Sequence, residues 1–89
     1  MIAIRQEPGR FVTGAGNDLA YITYREIGGR ILDFDHTFVP KPLRGGGIAS
    51  QLTGHALEFA RANGYRVVPS CPFVEAYIAR HPEYRGLLA

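Results

Sequence analysis

The chain has 89 residues, 46% of them hydrophobic and 20% charged, with a formal net charge of +2. That suits one globular domain over residues 1–89, a little above the size at which a single core becomes insecure, and excludes a disordered chain. The basic residues are scattered and only Lys41 is a lysine, so no dedicated nucleic-acid role is expected. Cys71 is the single cysteine and "MIAIRQEPGR" lacks a signal-peptide pattern. No apolar run reaches the ~18 residues of a membrane span. The expectation is a cytoplasmic protein with no membrane partner and no metal site.

Up to Pro40 the chain reads as strands: "MIAIRQ", "RFVTG", "LAYITYREI" and "RILDFDHTFV", separated by Pro8-Gly9, Gly14 to Asp18, and Gly28-Gly29. Such short connections join antiparallel neighbours. Strict alternation along the fourth run places Leu32, Phe34, His36 and Phe38 on one face, and Ile31, Asp33, Asp35, Thr37 and Val39 on the other.

Next comes "PLRGGGIAS", three glycines against a helical pattern. Ile48, Leu52, Ala56, Phe59 and Ala60 recur at helical spacing and Asn63-Gly64 supplies a stop, which predicts an amphipathic helix over 47–63. "YRVVPSC" is a fifth, β-branched strand. A strand-helix-strand unit of this length favours parallel pairing with a right-handed crossover. Pro72 opens a last helix to about Arg80. The expected fold is α/β: a mixed, mostly antiparallel five-stranded sheet with a helix on each face.

A strand that runs through a glycine turn into a helix presents free N–H groups and the positive end of the helix dipole, an arrangement suited to pyrophosphate. The nucleotide P-loop fails here, because Ile48-Ala49 stands where Lys-Ser or Lys-Thr is needed. The dinucleotide fingerprint fails too: Ser50 takes its third glycine place and "VVPSC" offers no acidic partner.

"VPKPLRGGGIA" instead resembles the acyl-CoA signature of the GNAT superfamily of N-acetyltransferases, Arg/Gln-x-x-Gly-x-Gly/Ala, with Arg44, Gly47 and Ala49 at its defined places. With "HTFVP" and "PSCPFV" the resemblance narrows to the short, single-domain predicted acetyltransferases of that superfamily, over roughly residues 10–84. It implies a GNAT-like fold that uses acetyl-CoA as co-substrate. The pyrophosphate would be held by amides around Arg44, Gly45, Gly46, Gly47, Ile48 and Ala49. The pantetheine arm would pair with the backbone of Thr37, Phe38 and Val39 between splayed fourth and fifth strands. The acceptor would be an amine. With turns where larger relatives have helices, the acceptor side is open enough for a protein side chain or terminus.

Two residues are candidates for catalysis. His36 lies just upstream of the expected pantetheine strand, where it could take a proton from an ammonium; a hydrogen-bonded core histidine is the alternative. Cys71 stands at the N-cap of the last helix, where the dipole favours thiolate. Direct transfer and an acyl-cysteine route are both open for it, as is a simple buried thiol. Asp33 and Asp35 read as surface carboxylates. Many relatives carry a tyrosine on the last helix as leaving-group acid, but Ile78 falls there and Tyr77 is one residue early. "HPEYRG" (81–86) is expected to be a turn whose Tyr84 packs back onto the domain. The rival readings are a non-catalytic CoA-binding or interaction module and a sheet-edge dimerisation domain, the protein being a monomer or homodimer.

Overall fold

The computed structural model describes residues 2–89, so Met1 of the first expected strand lies outside it. The strands are β1 (Arg5–Glu7), β2 (Arg10–Ala15), β3 (Asp18–Glu26), β4 (Ile31–Phe38) and β5 (Arg66–Val68). They lie in the order β1-β2-β3-β4-β5. Tight turns make the first four antiparallel neighbours, and the helical crossover makes β5 parallel to β4. The ladder starts at Arg5 rather than further upstream. Before it, the Ala3 carbonyl accepts a 2.7 Å hydrogen bond from the Thr13 hydroxyl.

The crossover helix α1 (Ile48–Ala62) runs from a Gly47 cap at φ +77° to an Asn63 cap, within one residue of the expected bounds. Leu52, Thr53, Ala56, Leu57 and Ala60 are buried. Their spacing lays one stripe on the sheet, against Phe11, Ala20, Ile22, Leu32, Phe34 and Val67. Each large apolar side chain so buried stabilises the fold by roughly 1.5–3 kcal/mol. The Thr53 hydroxyl enters this core because it donates back to the Ala49 carbonyl at 2.8 Å.

The last helix, α2 (Pro72–Arg80), does not take the opposite face. Val74, Tyr77 and Ile78 join the same core, and a Cβ added at Gly54 of α1 would lie 2.8 Å from the Tyr77 hydroxyl oxygen. The reason lies at the sheet edge. After α2 the chain returns to bridge Leu88 to Val67, parallel and outside β5. A second crossover progressing in the same direction with the same hand puts its helix on the same face. Among the described residues no helix covers the other face, which is the open side of the sheet.

β4 changes phase midway. Tyr24 is opposite Phe34 and Thr23 opposite His36, so Asp35 is the extra residue of a bulge. Leu32, Phe34 and then Thr37 face the core, whereas Asp33, His36 and Phe38 face the open side. This corrects the strict alternation expected from sequence.

"HPEYRG" forms a 3-10 segment (Pro82–Leu87) with Tyr84 buried, as expected. The Tyr84 hydroxyl donates 2.7 Å to Glu58, and burial followed by this bond pushes its pKa up to about 12. Among the described residues no helix is long and apolar enough to cross a membrane.

Candidate active site

The Pro40 bend and a 3-10 turn over Lys41–Leu43 bring the chain from the end of β4 to the glycine loop. The Arg44 amide is taken by the Lys41 carbonyl at 3.2 Å, and the first bond into α1 is Gln51 N–H to the Gly47 carbonyl at 3.0 Å. Between them, the amides of residues 45–50 meet no protein acceptor among the described residues. Six free donors at a helix start are an arrangement suited to an anion; within the expected Arg44–Ala49 span, the Arg44 amide is already engaged. Gly45 at φ +89° and Gly47 at φ +77° hold the left-handed backbone that turns these amides outward, and an added Cβ at Gly45, Gly46 or Gly47 meets nothing within 4 Å. The glycines therefore face open space. They are not wedged against the protein's own backbone.

Beside the loop is a cavity of about 210 Å³, whose apolar walls are Val39, Leu43, Ile48 and Phe73. The Arg44 side chain folds back here, its Nε donating 2.9 Å to the Val39 carbonyl. The loop thus combines an amide cradle, a cation and an apolar slot. Those are the requirements of a phosphorylated ligand with a long uncharged arm, and the residues present fit CoA.

Two walls of the slot, Val39 and Phe73, follow in sequence after the ends of β4 and β5, where these strands part. Register pairs run from Ile31 with Arg66 to Asp33 with Val68, followed by one last bond from Cys71 N–H to the Phe34 carbonyl at 2.9 Å. β4 continues to Phe38, so among the described residues the edge of residues 36–38 away from β3 has no strand partner. Cys71 caps α2 and is 6% exposed. Its Sγ lies 3.6 Å from the Thr37 hydroxyl oxygen, a contact made possible by the bulge, which turns Thr37 inward.

The structure thus joins Thr37, Cys71, the strand edge and the glycine loop into one region. It separates His36 from Cys71. His36 is exposed on the open face, 6.2 Å from the Tyr21 ring, and is not a core histidine. Phe38 shares that face, 5.5 Å from Tyr21. Asp33 is not a surface carboxylate, being 7% exposed with Arg25 Nη2 3.3 Å from its Oδ2. The Tyr77 hydroxyl packs against Gly54, and Ile78 is buried and carries no proton to donate. Burial, then the charges of Glu83 and Glu58, raises the Tyr77 pKa.

Sequence reasoning missed the Thr37 side chain, Leu43 and Phe73. The bulge that turns Thr37 inward leaves no compositional mark. Phe73 could have been found from its place one residue inside a helix that starts at the site.

Three comparisons bear on this region. The protein of Staphylococcus aureus whose NMR solution structure is described as GCN5-like superposes with a TM-score of 0.81 at 29% identity, over 99% of this chain and 88% of that one. Protein NATD1 of Gallus gallus is 35% identical over 66 residues, covering 74% of this chain and 60% of the relative. For Protein NATD1 of Homo sapiens the identity is again 35%, over 74% and 58%. The chain thus spans about 60% of the length of these curated relatives. The family model for the GCN5-related N-acetyl-transferase matches residues 10–87. With that match across glycine loop, splayed strands and thiol alike, the chain belongs to the GCN5-related N-acetyl-transferase family.

Proposed function

We propose that the protein is an acetyl-CoA-dependent N-acetyltransferase that acts on an amine in the cytoplasm. The observation that carries the proposal is the run of unbonded amides at residues 45–50 beside the unpaired edge of β4. Acetyl-CoA supplies an activated acyl group as a thioester. The loop amides and Arg44 bind its phosphates, and the backbone of Thr37, Phe38 and Val39 orients its arm. Val39, Leu43 and Phe73 exclude water from the slot.

The core fills one face of the sheet, so the acceptor approaches across the open face, where His36 stands. His36 takes the proton from the incoming ammonium. The neutral nitrogen then attacks the acyl carbon, a C–N bond forms, the C–S bond breaks, and the leaving thiolate takes a proton. Thr37 and Cys71 line the place of that departure, with Cys71 able to act either directly as a nucleophile or as a polar wall.

Calorimetry with acetyl-CoA, combined with thiol release in the presence of primary amines, tests the reading. Micromolar binding and amine-dependent release are expected. His36→Gln should lower kcat about a hundredfold, with an unchanged melting midpoint because the side chain is exposed. Binding without release for any amine would favour the non-catalytic CoA-binding module. Absence of binding would remove both readings.

A further inference from the structure

Two carboxylates on the open face share one cation. Arg25 Nη2 lies 3.3 Å from Asp33 Oδ2, and Arg25 Nε lies 3.7 Å from Asp35 Oδ2. Both contacts are long for charge-assisted bonds, which run about 2.7–2.9 Å, and the Arg25 side chain is 68% exposed. Arg25 is loosely held. Its carboxylate partners are not: the Thr23 hydroxyl donates 2.5 Å to Asp35 Oδ1, and Asp33 is 7% exposed.

Asp33 Oδ1 is buried with no hydrogen-bond partner. An orphaned buried acceptor costs about 1–3 kcal/mol, more for a charged group. A single loosely held guanidinium thus faces two carboxylates, one of which still lacks a donor. The bulge sets this pair beside His36, and at about 3.3 Å of rise per residue Asp33 and His36 are separated by roughly 7–10 Å. Tyr21 and Phe38 wall the region on its far side.

We propose that the acceptor carries a second positive charge, which displaces Arg25 from Asp33 and Asp35 and so brings the reacting nitrogen to His36. The inference rests on the acyl-transfer reading for the identity of that nitrogen. The acceptor class is a primary amine with another cation several bonds away. A diamine and a lysine with a basic neighbour share this chemistry.

The test compares 1,5-diaminopentane with pentylamine, and an acetylated Lys-Arg dipeptide amide with its Lys-Ala counterpart, on the CoA-loaded protein. In two-dimensional NMR titrations the dicationic member of each pair should shift the amides of Thr23, Arg25, Asp33 and Asp35, and the monocationic member should not. Asp35→Asn, at an exposed position, should weaken dication binding about tenfold, and Arg25→Ala should tighten it. In turnover, the ratio of kcat/KM for dication over monocation should be about ten and should fall toward one in Asp35→Asn. Preference for the diamine pair over the peptide pair would identify a small acceptor, and the reverse a protein.

Equal shifts from both members of each pair, or dication shifts that survive Asp35→Asn, would overturn the inference. Acetylation of both members at equal rates would overturn it while leaving the acyl-transfer reading intact. Charge-dependent binding with no acetylation would do the opposite, sinking the transfer reading and supporting the cation site.

Discussion

Replacing Gly46 by valine separates ligand binding from folding more cleanly than any other change in the loop. Gly45 and Gly47 have left-handed backbones, where a side chain costs about 1–2 kcal/mol whatever else it touches. Gly46 does not, and its added Cβ meets nothing within 4 Å. Folding stability in Gly46→Val should therefore stay within about 0.5 kcal/mol of the parent. For the ligand the outcome differs, because a branched side chain on this lip keeps an anion from reaching several amides together. Loss of two charge-assisted hydrogen bonds at about 1.5–3 kcal/mol each corresponds to a rise in Kd of about 10²–10⁴. Gly46→Ala should fall between. Calorimetry with CoA, alongside a thermal melt, reads both quantities on one sample. A variant that melts like the parent and binds CoA equally well would refute the amide cradle and move the phosphates elsewhere.

Two further outcomes follow from buried contacts. Cys71→Ser should retain appreciable turnover if transfer is direct, since a serine hydroxyl can keep the contact with Thr37. Near-total loss, with an acetyl mass increment on the parent protein supplied with acetyl-CoA alone, would establish the covalent route. Gly54→Ala should be neutral or destabilising despite the ~1 kcal/mol helix preference for alanine, because the new methyl would stand 2.8 Å from the Tyr77 hydroxyl oxygen, but 3.7 Å from the ring carbon that bears it. In a Tyr77→Phe background the same change should therefore stabilise by about 0.5–1 kcal/mol; additive effects in chemical denaturation would show that this contact does not explain the glycine.

The glycine loop and α1 were legible because each depends on local chemistry. Left-handed backbone at Gly45 and Gly47 asks for glycine, and the stripe from Leu52 to Ala60 repeats at the helical period. The phase of β4 was not legible. "LDFDHTF" alternates acceptably in either register, and the extra residue is fixed by how Thr23 and Tyr24 pair across the sheet. One residue thus exchanged the faces of His36 and Thr37, giving the thiol a hydroxyl neighbour that sequence reasoning did not assign. The side taken by α2 was hidden for a different reason. It is set by Leu88 bridging Val67 at the far edge, a contact 21 residues apart in sequence with no local signature.

The bond from Arg44 to the Val39 carbonyl bears on how the site fills. An extended chain that donates to the Val39 carbonyl from the side Arg44 now occupies replaces that arginine, so association there exchanges one donor for another and is not a net gain of a bond. The enthalpy of pairing at this position should be small, while the freed guanidinium regains side-chain freedom worth up to about 2 kcal/mol and becomes available to an anion at the helix start. Strand pairing and charge neutralisation are then coupled through one side chain: a ligand with only an arm or only a phosphate gains half of the exchange, and one that carries both at the right separation gains the whole.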